Sequence, residues 1–250
     1  KFTMQTQIGY VHSMSDFYIV QTGGGENDRV AITETTIGGF NRYNKDVHKS
    51  IPEFDRIRRA VQHFTSINDE NDKTSFVSIM RKGESGDYAN TWLLADYSDN
   101  SIWEFEEGLA FYNVTHKSAD DEKPYFIGAN YPKHPPIKNL ECSNDGGDDI
   151  RRHQGARRVR LPQLVEKYGA KEGISLETGR LIIADHYDVY NECETAGNSR
   201  TVCSHYNFDK REYLSDPSRP KPYQPHGAID GMGVDGELAK TLQLNGPVGQ

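Results

Sequence analysis

Two short apolar runs open the readable pattern of the chain. Phe17-Tyr18-Ile19-Val20 is the first and residues 30–37 are the second. Between them lies Gly23-Gly24-Gly25-Glu26-Asn27-Asp28. Apolar runs joined by a glycine-rich polar turn predict a β-hairpin over residues 9–37. The triple glycine is not read as a phosphate loop, because no Gly-Lys-Ser/Thr ending and no helical pattern follow it. From residue 50 the period changes. Ser50 and Glu53 have capping-box spacing, and Pro52 sits in the first turn, where its missing N–H costs little. Phe54, Ile57, Val61 and Phe64 then recur at helical spacing, which predicts a helix with Arg56, Arg58 and Arg59 on its wet side. A shorter helix is expected over 74–81. Strands are expected over 91–97 and 102–106, around the turn Ser98-Asp99-Asn100, and again over 109–115 and 125–129. A polar loop, 118–123, separates the last two.

Residues 132–149 carry Pro132, Pro135, Pro136 and Gly146-Gly147 and read as a long irregular connection. Helices are expected over 150–168, with Pro162 as a kink or boundary, and over 176–190. Beyond Asn191 the chain is rich in proline, glycine and polar residues. No repeat and no linker interrupts the pattern, so the expected organisation is one layered α+β domain spanning residues 1–250. Lys1-Phe2-Thr3-Met4-Gln5-Thr6 reads as mid-strand, and residues 246–250 stop without a cap, so further sequence is expected beyond both ends.

Composition narrows the function classes. The 250 residues carry 37 acidic and 29 basic side chains, a formal charge of -8, and 10% aromatics including 14 Tyr. A mean hydropathy of -0.78 is polar, but the aromatic content is not that of a disordered chain. An acidic chain lacks the electrostatic footprint that phosphate backbones require, so nucleic acid is not an expected partner. The basic cluster Arg151, Arg152, Arg157, Arg158 and Arg160 is too short to change that. No apolar run has the roughly 20 residues of a membrane helix.

Of the three cysteines, Cys193 and Cys203 lie close together in a loop-like stretch and Cys142 stands apart. None of the spacings suits a metal, and no metal site is expected. A bonded pair with one thiol left over would suit a secreted or luminal protein, and three buried free thiols are the alternative. Asn113-Val114-Thr115 is a glycosylation sequon, making Asn113 the candidate acceptor. Further polar segments abut the apolar strands: Thr33-Glu34-Thr35-Thr36, residues 86–92 with Asn90, residues 128–132 with Asn130, and residues 198–205 with Arg200 and His205. Asn or Thr at a strand end can aim a hydrogen bond into a cleft, and Arg can hold a carboxylate or a developing anion. A local turn or cap is the structural alternative for each.

The succession Thr33-Glu34-Thr35-Thr36-Ile37, residues 86–92, residues 125–132, Gly155-Ala156-Arg157-Arg158-Val159-Arg160 and residues 198–205 resembles the phospholipase B-like family of N-terminal-nucleophile hydrolases. Residues 225–231 and the terminal Gly246-Pro247 are similar to its late Pro-Gly-rich part. The resemblance implies a four-layer αββα sandwich, here incomplete at both ends. It also implies a cysteine nucleophile exposed by self-cleavage, whose own α-amine is the base, so that no separate histidine is needed, and no cofactor is expected. By the same resemblance Asn130 serves the oxyanion, Arg157 lies near the nucleophile, and Thr36 or its neighbour Thr35 lines the cleft. Asn90 is a further substrate-side candidate. Only one of the two threonines should face the site, because side chains alternate along a strand. The segment holding Arg200 and His205 is expected to be structural, with Cys193 and Cys203 bonded nearby.

The family's nucleophile would lie upstream of Lys1, so it is expected in sequence preceding this chain or on a second chain. The expected activity is hydrolysis of amide or ester bonds in acyl-amide or lipid-like small molecules, including lipid degradation, by a secreted or lysosomal glycoprotein. The alternative is an inactive secreted or luminal glycoprotein of the same fold with a binding or structural role.

Overall fold

A computed structural model describes residues 1–6, 12–13, 16–42, 49–143, 146–169 and 173–203. His205 and the segments 225–231 and 246–247 lie outside the described residues. The chain divides into two compact units, one within described residues 1–143 and the other within 146–203.

The first unit is built on a six-stranded antiparallel sheet in sequential order, β1 (Phe2–Met4), β2 (Phe17–Gln21), β3 (Arg29–Thr36), β4 (Asn90–Asp96), β5 (Ser101–Glu107) and β6 (Tyr112–Ser118). The predicted hairpin is β2–β3, registered Phe17 on Thr33 and Gln21 on Arg29. Its turn is closed by Asp28, whose carboxylate accepts from Gly25 N–H at 2.6 Å. Side chains alternate, so Tyr18, Ile32, Trp92, Leu94 and Phe105 share one face. That face is covered by α1 (Glu53–His63) and α2 (Phe76–Arg81). Phe76 is fully buried and meets Phe64, Trp92 and Phe105 edge-on at 5.9, 5.9 and 6.4 Å between ring centres. Edge-to-face geometry is the arrangement aromatic quadrupoles favour.

Helix α1 departs from expectation in two ways. It starts from Pro52, and the Ser50–Glu53 capping box is not formed. Its buried stripe is Glu53, Arg56, Ile57, Ala60 and Val61, whereas Phe54 is 45% exposed. Arg56, expected on the wet side, is fully buried.

The other face of the sheet carries Thr33, Thr35, Thr91, Leu93, Glu104 and Glu106. Residues 125–129, predicted as a strand, do not pair into the sheet; the segment running on to His134 is tied to this face by side chains instead. Lys117 Nζ donates to Tyr125 O at 2.9 Å. Gly128 lies so close that a Cβ would meet Thr35 Cγ2 at 2.5 Å. The backbone N–H groups of Lys133 and His134 both donate to the Glu106 carboxylate at 2.9 Å. Capture of backbone donors by side chains satisfies them without a strand ladder. Within the long connection, residues Ile137–Glu141 form a π-helical turn.

The second unit contains α3 (His153–Gly169), α4 (Leu176–Ile183) and the short ladder β7 (Tyr187–Asp188) with β8 (Cys193–Glu194). Helix α3 carries Pro162 inside it, and α4 ends well short of the predicted residue 190. Asp188, fully buried, accepts from Arg200 Nε at 2.8 Å, Asn198 Nδ2 at 2.9 Å and Tyr190 N–H at 3.0 Å. Burial pushes the Asp188 carboxyl up, but the hydrogen bonds from Arg200 and Asn198 outweigh it and hold the group down at about 2. The motif beginning at Asn198 therefore has a structural job, to close this late loop on a buried ion pair.

The Cys193–Cys203 bond is not formed, and all three cysteines are free thiols. Cys193 sits exposed in the β7–β8 ladder paired with Asp188, while the Cys203 amide is held on Asp185 O at 3.1 Å. The loop is closed by the Asp188–Arg200 pair instead of by sulfur.

The architecture is thus mixed helix and antiparallel sheet, an α+β fold. No helix among the described residues is long and apolar enough to cross a membrane.

Candidate functional site

The strand ends of β3 and β4 collect the polar residues singled out in the sequence. Thr35 pairs with Thr91 and Thr36 with Asn90. The two threonines point to opposite faces, as alternation requires. Thr35 faces the segment carrying Asn130, and its Oγ1 accepts from Asn130 N–H at 3.1 Å. Asn130 Nδ2 donates to Thr36 O at 2.9 Å, and Asn130 O accepts from Gly38 N–H at 3.2 Å. Three hydrogen bonds thus fix Asn130 to the end of β3. Its backbone is left-handed, φ +58°, a conformation that asparagine tolerates better than most residues.

Thr36 turns its hydroxyl to the helix-covered face. There Thr36 Oγ1 lies 2.5 Å from Tyr88 Oη and 3.2 Å from Glu34 Oε1, and Tyr88 Oη donates to Glu34 Oε1 at 2.8 Å. Burial, then the neighbouring Asp16 charge, pushes the Glu34 carboxyl up to about 8. Asp16 is also raised, chiefly by burial. Asn90 is fully buried on the same face, and neither atom of its amide finds a hydrogen-bond partner among the described residues. A buried orphan amide costs about 1–3 kcal/mol, so it marks a position held for a reason other than packing.

Behind this cluster lies a group that the sequence did not reveal. Arg56 NH1 donates to Met80 O at 2.6 Å and to Glu107 Oε1 at 3.0 Å, and it pairs with Glu84. Burial holds Glu107 well above the usual carboxylate range despite the guanidinium. Glu53 is raised to about 7, again mainly by burial.

These shifts set a pH dependence. The folded chain holds the Glu34 and Glu53 protons to about 8 and about 7, whereas the ordinary value is 4.5. The unfolded chain therefore binds fewer protons in this range, and stability falls as pH rises. His153 acts oppositely, because burial lowers it from 6.5 to about 3, so its contribution to stability rises between those values. Above about 6.5 the raised carboxyls act alone among these groups. The melting temperature is expected to drop by on the order of 5 °C between pH 6.5 and 8. Glu53→Gln, which cannot ionise, should lessen that slope and leave the Glu34 part. Thermal melts across the range check it, and a melting temperature that holds steady or climbs would contradict the assignment.

Arg157 belongs to the second unit. It stands on α3 with its Nε donating to His153 O at 3.2 Å. Its motif neighbour Gly155 is glycine because a Cβ would meet Asp149 O at 2.2 Å. The sequon residue Asn113 lies half-buried on β6, its Nδ2 donating to Thr115 Oγ1 at 3.1 Å. The structure therefore brings Thr35, Thr36, Asn90 and Asn130 to one strand end and adds Asp16, which the sequence reading missed, with Glu34 and Tyr88, to which it gave no role. Glu34 was legible as a polar residue between Thr33 and Thr35. No family model matches the chain, and no curated protein matches it either.

Proposed function

We propose that the chain is part of a hydrolase that cleaves amide or ester bonds of acyl substrates with an N-terminal cysteine, of the phospholipase B-like kind. The observation that supports this reading is the three-point fixation of Asn130 beside Thr35 and Thr36, residues brought together from distant segments whose order suggested the family. In this reading the cysteine thiol adds to the acyl carbon while its α-amine takes the thiol proton. Negative charge develops on the carbonyl oxygen, and a pre-positioned Asn130 amide donates to it. The tetrahedral intermediate collapses as the C–N or C–O bond breaks and the ammonium returns its proton to the leaving group. Water then releases the acyl group from sulfur by the reverse proton path. Arg157 enters through the resemblance alone, as a guanidinium near the nucleophile. The finer fold that accompanies this chemistry is a four-layer αββα sandwich, with the six-stranded sheet and its α1–α2 layer as one half. A secreted or luminal setting belongs to the same proposal.

The test is N-terminal sequencing of the mature native protein together with labelling by iodoacetamide. The mature catalytic chain is expected to begin with cysteine, upstream of Lys1. Its alkylation should abolish hydrolysis of acyl 4-nitrophenyl esters and acyl amides. A mature chain opening on a residue without a nucleophilic side chain refutes the reading and leaves the inactive glycoprotein of the same fold.

A further inference from the structure

A cleft of about 290 Å³ opens beside the start of α1, lined by His12, Ser13, Asp16, Glu53, Phe54, Asp87 and Tyr88. Its chemistry is one-sided. Asp16, Glu53 and Asp87 place carboxyl groups on the wall, and Phe54, Tyr88 and His12 place rings there. The His12 and Phe54 rings are 6.0 Å apart between centres. Arg56 NH1 is committed to Glu84 and Glu107, and its NH2 pairs with Asp87 only at 3.7 Å, leaving room for a further cation.

Glu53 supplies a second, independent sign. It is 8% exposed, yet its Oε1 finds no hydrogen-bond partner among the described residues. A carboxylate oxygen withdrawn from water without a donor is costly, and a positive group in the cleft would relieve that cost. Ring faces beside carboxylates favour a cation that carries apolar substituents, because the quadrupole attracts the charge while the ring covers the carbon. A bare metal ion fits poorly, since no group of three or more His, Cys, Asp or Glu among the described residues is arranged to hold one.

We propose that this cleft binds an organic ammonium ion, with its nitrogen among Asp16, Glu53 and Asp87 and its carbon substituents against Phe54 and Tyr88. Tyr88 also touches Thr36, so the occupant sits one side chain away from the strand end described above. The inference does not depend on the hydrolase reading, because it concerns binding alone.

Isothermal titration of the full chain at pH 8 tests it with benzyltrimethylammonium, benzylamine and the uncharged benzyl alcohol. Both cations are expected to bind, and the alcohol roughly tenfold or more weakly. Tighter binding of the quaternary ion would point to the rings as the main contact, and tighter binding of the primary amine to the carboxylates. Phe54→Ala, at an exposed position, should weaken benzyltrimethylammonium by about 3- to 30-fold. Asp87→Asn should weaken both cations. Benzyl alcohol binding as well as the cations overturns the proposal. So does failure of both cations to bind, or affinity unchanged in both variants. Circular dichroism confirms that each variant is folded, and no turnover is read, so the outcome is separate from that of the hydrolase test.

Discussion

Arg56→Met is expected to cost about 3–5 kcal/mol of folding stability, the range for removing one partner of a buried ion pair. The side chain is fully buried and serves a backbone carbonyl, Met80 O, together with the carboxylates of Glu84 and Glu107. Glu107 is itself inaccessible, and its second cation, Arg81, stands off at 3.9 Å. Methionine fills much of the same volume, so the loss is chiefly electrostatic. Two carboxyl groups would remain in a dry site without their shared donor. Lysine at this position keeps the charge but not the planar fork, so it should recover only part of the loss. The triple variant Arg56→Met, Glu84→Gln, Glu107→Gln removes the stranded acids and should regain much of the stability. That rescue keeps the argument testable even where the single variant fails to fold. Urea denaturation of the three proteins decides it. A single variant within 1 kcal/mol of the parent, or no recovery in the triple variant, would show that the site is not an ion-pair lock.

What the sequence could and could not convey follows from the range of the interactions. The β2–β3 hairpin and α1 were legible because their signals are local: apolar runs around a Gly-rich turn, and a helical period. Alternation also correctly separated Thr35 from Thr36, since opposite facing is a property of the strand itself. Arg56 was half legible. Glu53, Arg56, Ile57, Ala60 and Val61 follow the spacing of a single buried stripe, but the charge of Arg56 argued for water. Only Glu84 and Glu107, both distant in sequence, reverse that preference. Residues 125–129 have the composition of a strand, and what diverts the segment is Glu106 and Thr35, which offer acceptors to its downstream N–H groups. Glu34 and Tyr88 lay in polar segments that stood out in the sequence, but nothing there pointed to Asp16, which joins them only when the residues just before β2 meet β3. Loop closure near Cys193 was read as sulfur chemistry. The same closure is achieved by Asp188 and Arg200, whose pairing is no more visible in the sequence than that of two cysteines.

On the proposed hydrolase reading, deleting the Asn130 amide should lower kcat/KM of the mature protein by about 10²–10³, the usual effect of losing one oxyanion donor. The choice of substitution matters because Asn130 has a left-handed backbone. Alanine would remove the amide and also strain the chain, so a fall in activity could come from displacement of the neighbouring Thr35. Glycine adopts this conformation freely and removes only the side chain and its bond to Thr36 O. The informative comparison is therefore Asn130→Gly against Asn130→Ala. Both should lose turnover to a similar degree, while the melting temperature falls more in the alanine variant. The loss should appear in kcat more than in KM, since an oxyanion donor acts on charge present only in the transition state. Turnover retained in the glycine variant would remove Asn130 from the chemistry and leave it a purely structural peg. Its three hydrogen bonds would then serve only to fasten residues 125–134 to the face of the sheet.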